Sequence, residues 1–438
     1  MIKRSAHNHH LKMWLFSFAV LFLFTSNFRK GADLQQHIDL APTYVSAHLL
    51  WAGKGNSIYD NSAYGNKRSP EWVEFERDQL MGHAAETTYI YLPAYLILVS
   101  PIALLTTFAQ FKTIFLLLKI PFLAWFLASM ACRWPGTLKG GAIVVGIFCL
   151  SDSVFDGFRL GQNVEFLAVL VPAYFYASAH NKNSSASLFL LLSVIVKPWA
   201  AVLLFYPASS LRIRQASIQA SALLALIATQ WLLLPEAMSD FVRLVSDHNK
   251  ISILSYNNLS LDAFLHKLSF RDWMQHFGWN PAPNHPAMLS GILRFAVTLS
   301  LGAIALLCRV GKYRRLAVLL IPPVYMNIFW NHYLLLYFPF FLDSIRIVWG
   351  RPIFRGIVGA TILITLWADA EATRWLINGV ILRGLSLDQL SIVLPFIHFL
   401  GVTLLLLLLI NGLRRQWSKE CMRSAPFLWH ELTKNRKS

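Results

Sequence analysis

The chain has 438 residues, of which 56% are hydrophobic and only 14% charged, and its mean hydropathy is +0.49. A soluble domain of this length cannot hide that much apolar surface, so the composition excludes a soluble enzyme and indicates a helical membrane protein. The net charge of +17 does not point to nucleic acid: the basic residues sit in the N-terminal tail (Lys3, Arg4, Lys12), in short turns and after Ile410. That is the positive-inside pattern, and no basic face lies on a soluble module that could track phosphates.

In chain order, a His-rich start (His7, His9, His10) reads as a cytoplasmic tail rather than a metal site. The first apolar run, 12–28, has no convincing small-x-small cleavage site behind it and is expected to stay as an anchor. With the tail inside, the polar loop 30–89 is outside, and it carries Asp33 and Asp39. Carboxylates placed where a first helix leaves the bilayer point to chemistry; an ordinary solvated loop is the alternative. Asp39 precedes a helix with Pro42 near its start, so it also fits a helix N-cap, and the helix is expected to lie amphipathically on the membrane surface. The segment 89–105 must begin and end outside. Its Pro93 and Pro101 fit a re-entrant pair or a shallow helix.

Further spans are expected at 112–131, 140–155, 164–180, 215–235, 286–308, 314–330, 333–347, 355–375 and 390–411, by length against a hydrocarbon core of roughly 30 Å. The segment 187–206 starts and ends inside, so it should reach outward and turn at Lys197-Pro198. A second outer loop, 235–286, should contain an interfacial helix near 240–245. The fold expected is all-α: a polytopic integral membrane protein with about ten to twelve transmembrane helices plus re-entrant or interfacial ones. Residues 1–412 form one integral domain and 413–438 a basic cytoplasmic tail; both termini are cytoplasmic. Cys132, Cys149, Cys308 and Cys421 show no paired spacing and read as packing residues. The lack of eukaryotic sorting signals points to a bacterial inner membrane.

Under this topology Asp33, Asp39, Tyr91, Gly161-Gln162-Asn163, Lys197, Asn257-Asn258 and Trp330-Asn331-His332 all fall on the outer side. A carboxylate, a cation and amides facing one outward cavity suit group transfer from a membrane-anchored phosphate donor: the carboxylate takes a proton from an acceptor hydroxyl, and a Lys or Arg meets the charge on the departing phosphate. Lys197 is the candidate for that contact, with a snorkelling lysine as the alternative. Arg159 is a second candidate through its fork, or else a partner for Asp156. Gln162 and Asn163 line the site or bond between helices. His332 is a site residue or a structural hydrogen-bonder, and Asn257 and Asn258 line an acceptor entrance or make turns.

The stretch from Ile38-Asp39-Leu40 through Leu50, then Gly53 and Tyr59-Asp60, resembles the first-loop signature of glycosyltransferase family 87, a member of the GT-C superfamily of polyprenyl-phosphate-sugar-dependent transferases. Tyr91-Leu92-Pro93 followed by 100–105 is similar to its Tyr-Pro-Pro segment. Gly161-Gln162-Asn163, Lys197-Pro198, 257–261 and Trp330-Asn331-His332 match later landmarks in order. The resemblance runs to about residue 340. It implies inverting transfer of a hexose, often mannose, from a polyprenyl-phosphate donor on the extracytoplasmic side to a lipid or glycan acceptor, with Asp39 rather than Asp33 as general base. Three departures stand out: Ala94 replaces the second proline, Leu40 replaces an aromatic after the acid, and 257–260 has an extra residue.

Among the outer loops there is no DxD-type motif, so no metal is expected; no cofactor is implied either. The partners expected are the lipid-linked sugar, its acceptor and membrane lipids, without nucleic acid. The rival is a transporter or flippase of lipid-linked sugars. It is disfavoured because the polar groups crowd one side and no inverted repeat is visible. A third alternative is a different GT-C transfer, such as aminoarabinose or a phosphorylated alcohol onto a lipid.

Overall fold

A computed structural model describes residues 2–28, 39–59, 69–80, 89–132, 138–209, 212–248, 252–255, 258–269, 287–308, 310–367 and 387–434. Asp33 and Asn257 lie outside them. The described residues are helical with no strand, apart from an isolated antiparallel bridge between Asn258 and Trp330. Among the described residues five helices are long and apolar enough to cross a membrane: His10–Phe28, Phe108–Ala131, Ile213–Leu233, Ser290–Leu307 and Val393–Gln416. A sixth span forms if the pair Leu138–Cys149 and Asp152–Arg159, bent by 50°, is counted as one. The other apolar segments are shorter or broken, and the breaks carry the polar groups of interest. In hydrocarbon such breaks need protein partners for every freed backbone group.

The first helix ends in a π-helical stretch, Leu23–Phe28. There Asn27 Nδ2 donates to the carbonyl of Cys149 at 2.8 Å, where the bent pair breaks. This one bond ties the first helix to the turn that launches Asp152–Arg159. The central helix Phe108–Ala131 starts with a capping box, in which the Gln110 side chain accepts from the Thr107 N–H at 3.0 Å and Thr107 Oγ accepts from the Gln110 N–H.

Leu40–Trp51 is not the surface helix expected. Leu40 through Ala47 are buried all round. The run contains Thr43, Tyr44 and Ser46, but each hydroxyl has an internal acceptor: Asp39 O at 3.2 Å, Thr106 O at 2.7 Å and Ile58 O at 3.2 Å. Once its hydroxyls are satisfied, the helix has no polar face left for water. The segment after Tyr89 is a single helix, Pro93–Leu105, that continues through Pro101. At 13 residues it spans about 20 Å, too short to cross. Its first free N–H, on Ala94, donates to Gln230 Oε1 at 2.8 Å. A proline at position 94 would have no such donor, so the departure Ala94 comes with its own partner.

Asn181, at φ 56°, makes the tight turn joining Val164–Ala179 to Asn183–Val196; asparagine tolerates this left-handed conformation. The next break falls at Lys197, as expected. Its backbone is extended, and Pro198–Leu204 continues as a 3-10 turn. An amphipathic helix occupies Pro235–His248, with Ala237, Met238 and Phe241 buried and Val242 and Val245 exposed. Phe241 packs on Tyr59 at 6.0 Å between ring centroids.

The expected straight spans 314–330 and 333–347 are instead Gly311–Leu319, Ile321–Tyr325, a non-helical stretch, a 3-10 turn Asn331–Tyr337 and Phe338–Ile347. Pro322 and Pro323 remove two helix donors. The freed backbone pairs elsewhere: Leu259 N donates to Phe329 O at 2.7 Å, and Phe329 N to Asn258 Oδ1 at 2.9 Å.

Replacing Asn27 by Leu leaves the Cys149 carbonyl short of its donor and should cost about 1–3 kcal/mol of stability; a thermal unfolding midpoint in detergent equal to that of the parent would refute this role for Asn27.

Candidate active site

Three helix starts and one broken span converge on one polar chain. Asp39 precedes Leu40–Trp51, yet its side chain makes no cap bond. Its carboxylate accepts from Gln162 Nε2 instead. The other end of the same amide, Gln162 Oε1, accepts from Lys197 Nζ at 3.1 Å. Lys197 also donates to the Tyr91 hydroxyl at 3.1 Å and lies 4.3 Å from the Tyr91 ring centroid and 5.6 Å from that of Tyr333. Asp39, Gln162, Lys197 and Tyr91 are thus linked in space although far apart in sequence. Lys197 is 3% exposed; an ammonium so placed is retained because an amide, a phenol and two rings surround it.

The turn that presents Gln162 is fixed from several sides. Gly161 adopts φ +71°, a region that favours glycine, and a Cβ there would lie 2.4 Å from Leu40 Cγ. Leu40, the second departure from the family pattern, therefore packs into the space the glycine leaves. Asp39 N donates to Leu160 O at 3.1 Å, and Asn163 Nδ2 to Val196 O at 3.2 Å, one residue before Lys197. Asn163 therefore braces the turn against the broken span. Tyr91 is held by its neighbours: Tyr59 donates its hydroxyl to Tyr91 O at 2.7 Å and Tyr89 to Leu92 O at 3.0 Å. Burial, first of all, pushes both phenols well above their usual range, so they stay protonated as donors.

His332 is 1% exposed and its ring packs 4.5 Å from that of Tyr333. Both ring nitrogens are buried with no hydrogen-bond partner among the described residues. Next to it, Asn331 Nδ2 donates to Asp156 Oδ2 at 2.9 Å, and Arg159 grips the other oxygen of Asp156 at 2.7 Å. The guanidinium of Arg159 is thus engaged in an ion pair. Asn258 is 1% exposed, and its amide bonds four backbone groups: Ile253 O, Asn327 O, Ser260 N and Phe329 N, at 2.9–3.1 Å. Its contribution is to place the segment that runs into Asn331 and His332.

Lys197 and Tyr333 also belong to the wall of a cavity of about 570 Å³. The rest of that wall is largely apolar and aromatic, with Trp199, Phe205, Leu244, Ile321 and Trp330 among its residues. Two charged residues near the site were not foreseen from the sequence, Lys119 and Glu165. Each is fully buried, and they form an ion pair at 3.5 Å. The signal was a charge inside an apolar run, which is costly in a membrane and marks function or pairing.

The family-87 glycosyltransferase model matches residues 89–326, more than half of the chain. This chain belongs to glycosyltransferase family 87. It is therefore a transferase built within a membrane. The match includes Tyr91, Gln162 and Lys197 and does not reach Asp39 or His332. No curated protein and no solved structure matches the chain.

Gln162→Leu keeps the side-chain bulk but removes both hydrogen bonds. Since hydrogen bonds to charged groups contribute about 1.5–3 kcal/mol each, losing both corresponds to about 3–6 kcal/mol and turnover should fall about 10²- to 10⁴-fold, measured as initial rate of glycosyl transfer by folded protein; a parental rate would show the bridge to be dispensable.

Proposed function

We propose that this family-87 transferase moves a hexose, mannose foremost, from a polyprenyl-phosphate donor to a lipid or glycan acceptor, with inversion and with Asp39 as general base. The observation that carries this reading is the Asp39–Gln162–Lys197 chain ending on the wall of a largely apolar cavity of about 570 Å³. A cation on the wall of a largely apolar, aromatic cavity fits a lipid carried by one phosphate. Asp39 accepts the acceptor's hydroxyl proton as that oxygen bonds C1 of the hexose. The C1–O bond to phosphate breaks, and its electron pair leaves on polyprenyl phosphate. The phosphate gains one negative charge, which Lys197 meets, with His332 beside it to donate a ring N–H. Arg159 is the weaker candidate for this contact, since Asp156 already holds it. Gln162 Nε2 donates to Asp39 and so fixes the orientation of its carboxylate.

The basic residues around Lys12 and after Ile410 support an orientation with cytoplasmic termini and a site facing the periplasm or cell exterior of a bacterial inner membrane. Lys197 supplies the cationic partner for the leaving phosphate without a divalent ion, so the transfer rate is expected to be unchanged by a chelator; loss with chelator and return with magnesium or manganese would overturn that.

The direct test is purified protein with a panel of undecaprenyl-phosphate hexoses, following release of undecaprenyl phosphate. Asp39→Asn and Asp39→Ala should lower the rate by about 10²–10⁴ while folding is kept, and Lys197→Met should weaken donor binding. Near-normal turnover by either Asp39 variant refutes the base. No turnover with any donor, alongside vectorial movement of one, would favour transport instead.

A further inference from the structure

We infer that the buried Lys119–Glu165 ion pair serves to position Gln162, and through it the proposed base; the inference rests on the role proposed for Asp39. Three helices meet here. Lys119, on Phe108–Ala131, donates from Nζ to the carbonyl of Gly157 at 2.8 Å, and that same carbonyl accepts the backbone N–H of Gln162 at 3.0 Å. One oxygen therefore fixes both the lysine and the residue that bridges Asp39 to Lys197. Glu165, three residues beyond Gln162, balances Lys119 at 3.5 Å, and both side chains are 0% exposed. The rings of Phe115 and Phe158 lie 5.2 Å and 5.6 Å from Nζ.

Gly157 makes the arrangement possible. A Cβ on it would lie 2.0 Å from Glu165 Oε1, so the carboxylate occupies the room that the missing side chain leaves. Fold stability does not call for such a pair, because apolar replacements of similar volume are commonly neutral or stabilising in a protein interior. What they could not supply is a donor to the Gly157 carbonyl. The pair is a positioning device for the turn that carries Gln162, and neither member touches the reacting atoms.

The test uses the full-length protein in cells of the source organism lacking the gene. The readout is the glycosylated species that disappears on deletion and returns with the parent gene, so no donor need be assumed. Lys119→Met with Glu165→Leu removes both charges and the donor to Gly157. At parental protein level, product formation should fall about 10- to 100-fold, the scale of a misplaced reacting group. Lys119→Gln with Glu165→Gln is equally uncharged but keeps an amide donor for Gly157, and should recover most of that loss. A pair that mattered only for burial would show no difference between the two. Parental product from the Met/Leu protein overturns the inference. If that protein does not accumulate, Gly157→Ala reads the same contact: it leaves both charges and adds a methyl where Glu165 Oε1 lies, and parental product there overturns the inference equally. Asp39→Asn is run in parallel. If it abolishes product while the Met/Leu protein is parental, only the positioning role falls; if Asp39→Asn is active, the base reading itself falls.

Discussion

A half-buried carboxylate and a buried ammonium near one another attract strongly, because little water screens them. Left to themselves they close into an ion pair that quenches both. In this transferase the amide of Gln162 lies between them, its nitrogen toward Asp39 and its oxygen toward Lys197. The amide is neutral and has one donor end and one acceptor end, so each charged group keeps a partner without meeting its opposite. Everything around Gln162 serves that placement: the left-handed glycine before it, Leu40 packed under that glycine, and the carbonyl of Gly157 beneath the turn.

The second organising feature is the use of broken helices. An unbroken span satisfies its own backbone and offers only side chains to a site. A break frees carbonyls and N–H groups that must be paired from elsewhere, and here those pairings join distant parts of the chain. Asn27 reaches the break at Cys149, Asn163 braces the break at Lys197, and Asn258 holds the stretch before Trp330. At each of these breaks an amide side chain meets part of the polar cost.

Much of this was legible in the sequence. The Lys197-Pro198 break announced itself as a cation and a proline inside an apolar run, and a helix near Asp240 was expected within the polar loop 235–286. Asp39, Gln162, Lys197 and Tyr91 were grouped on the outer side by the topology, and hydrogen bonds link them in space. What was not legible depended on partners far along the chain. The helix after Asp39 looked amphipathic because Thr43, Tyr44 and Ser46 are polar; nothing local says that Ile58 and Thr106 would take their hydrogens. The runs 314–330 and 333–347 looked like plain spans because the pairing of Phe329 with Asn258 and Leu259 cannot be read from apolar content. Lys119 and Glu165 were not singled out, because their pairing joins two helices far apart in the chain.

The bond from the Ala94 N–H to Gln230 joins a helix start to a residue 136 positions later. With proline at 94 there is no N–H to give, and a buried glutamine at 230 would be left with an oxygen lacking that donor. With alanine at 94 and an apolar residue at 230, a helix N-terminus would face the interior unmet. Neither change is comfortable by itself, so the two positions are expected to have moved together, and among related chains the residue at one should forecast the residue at the other.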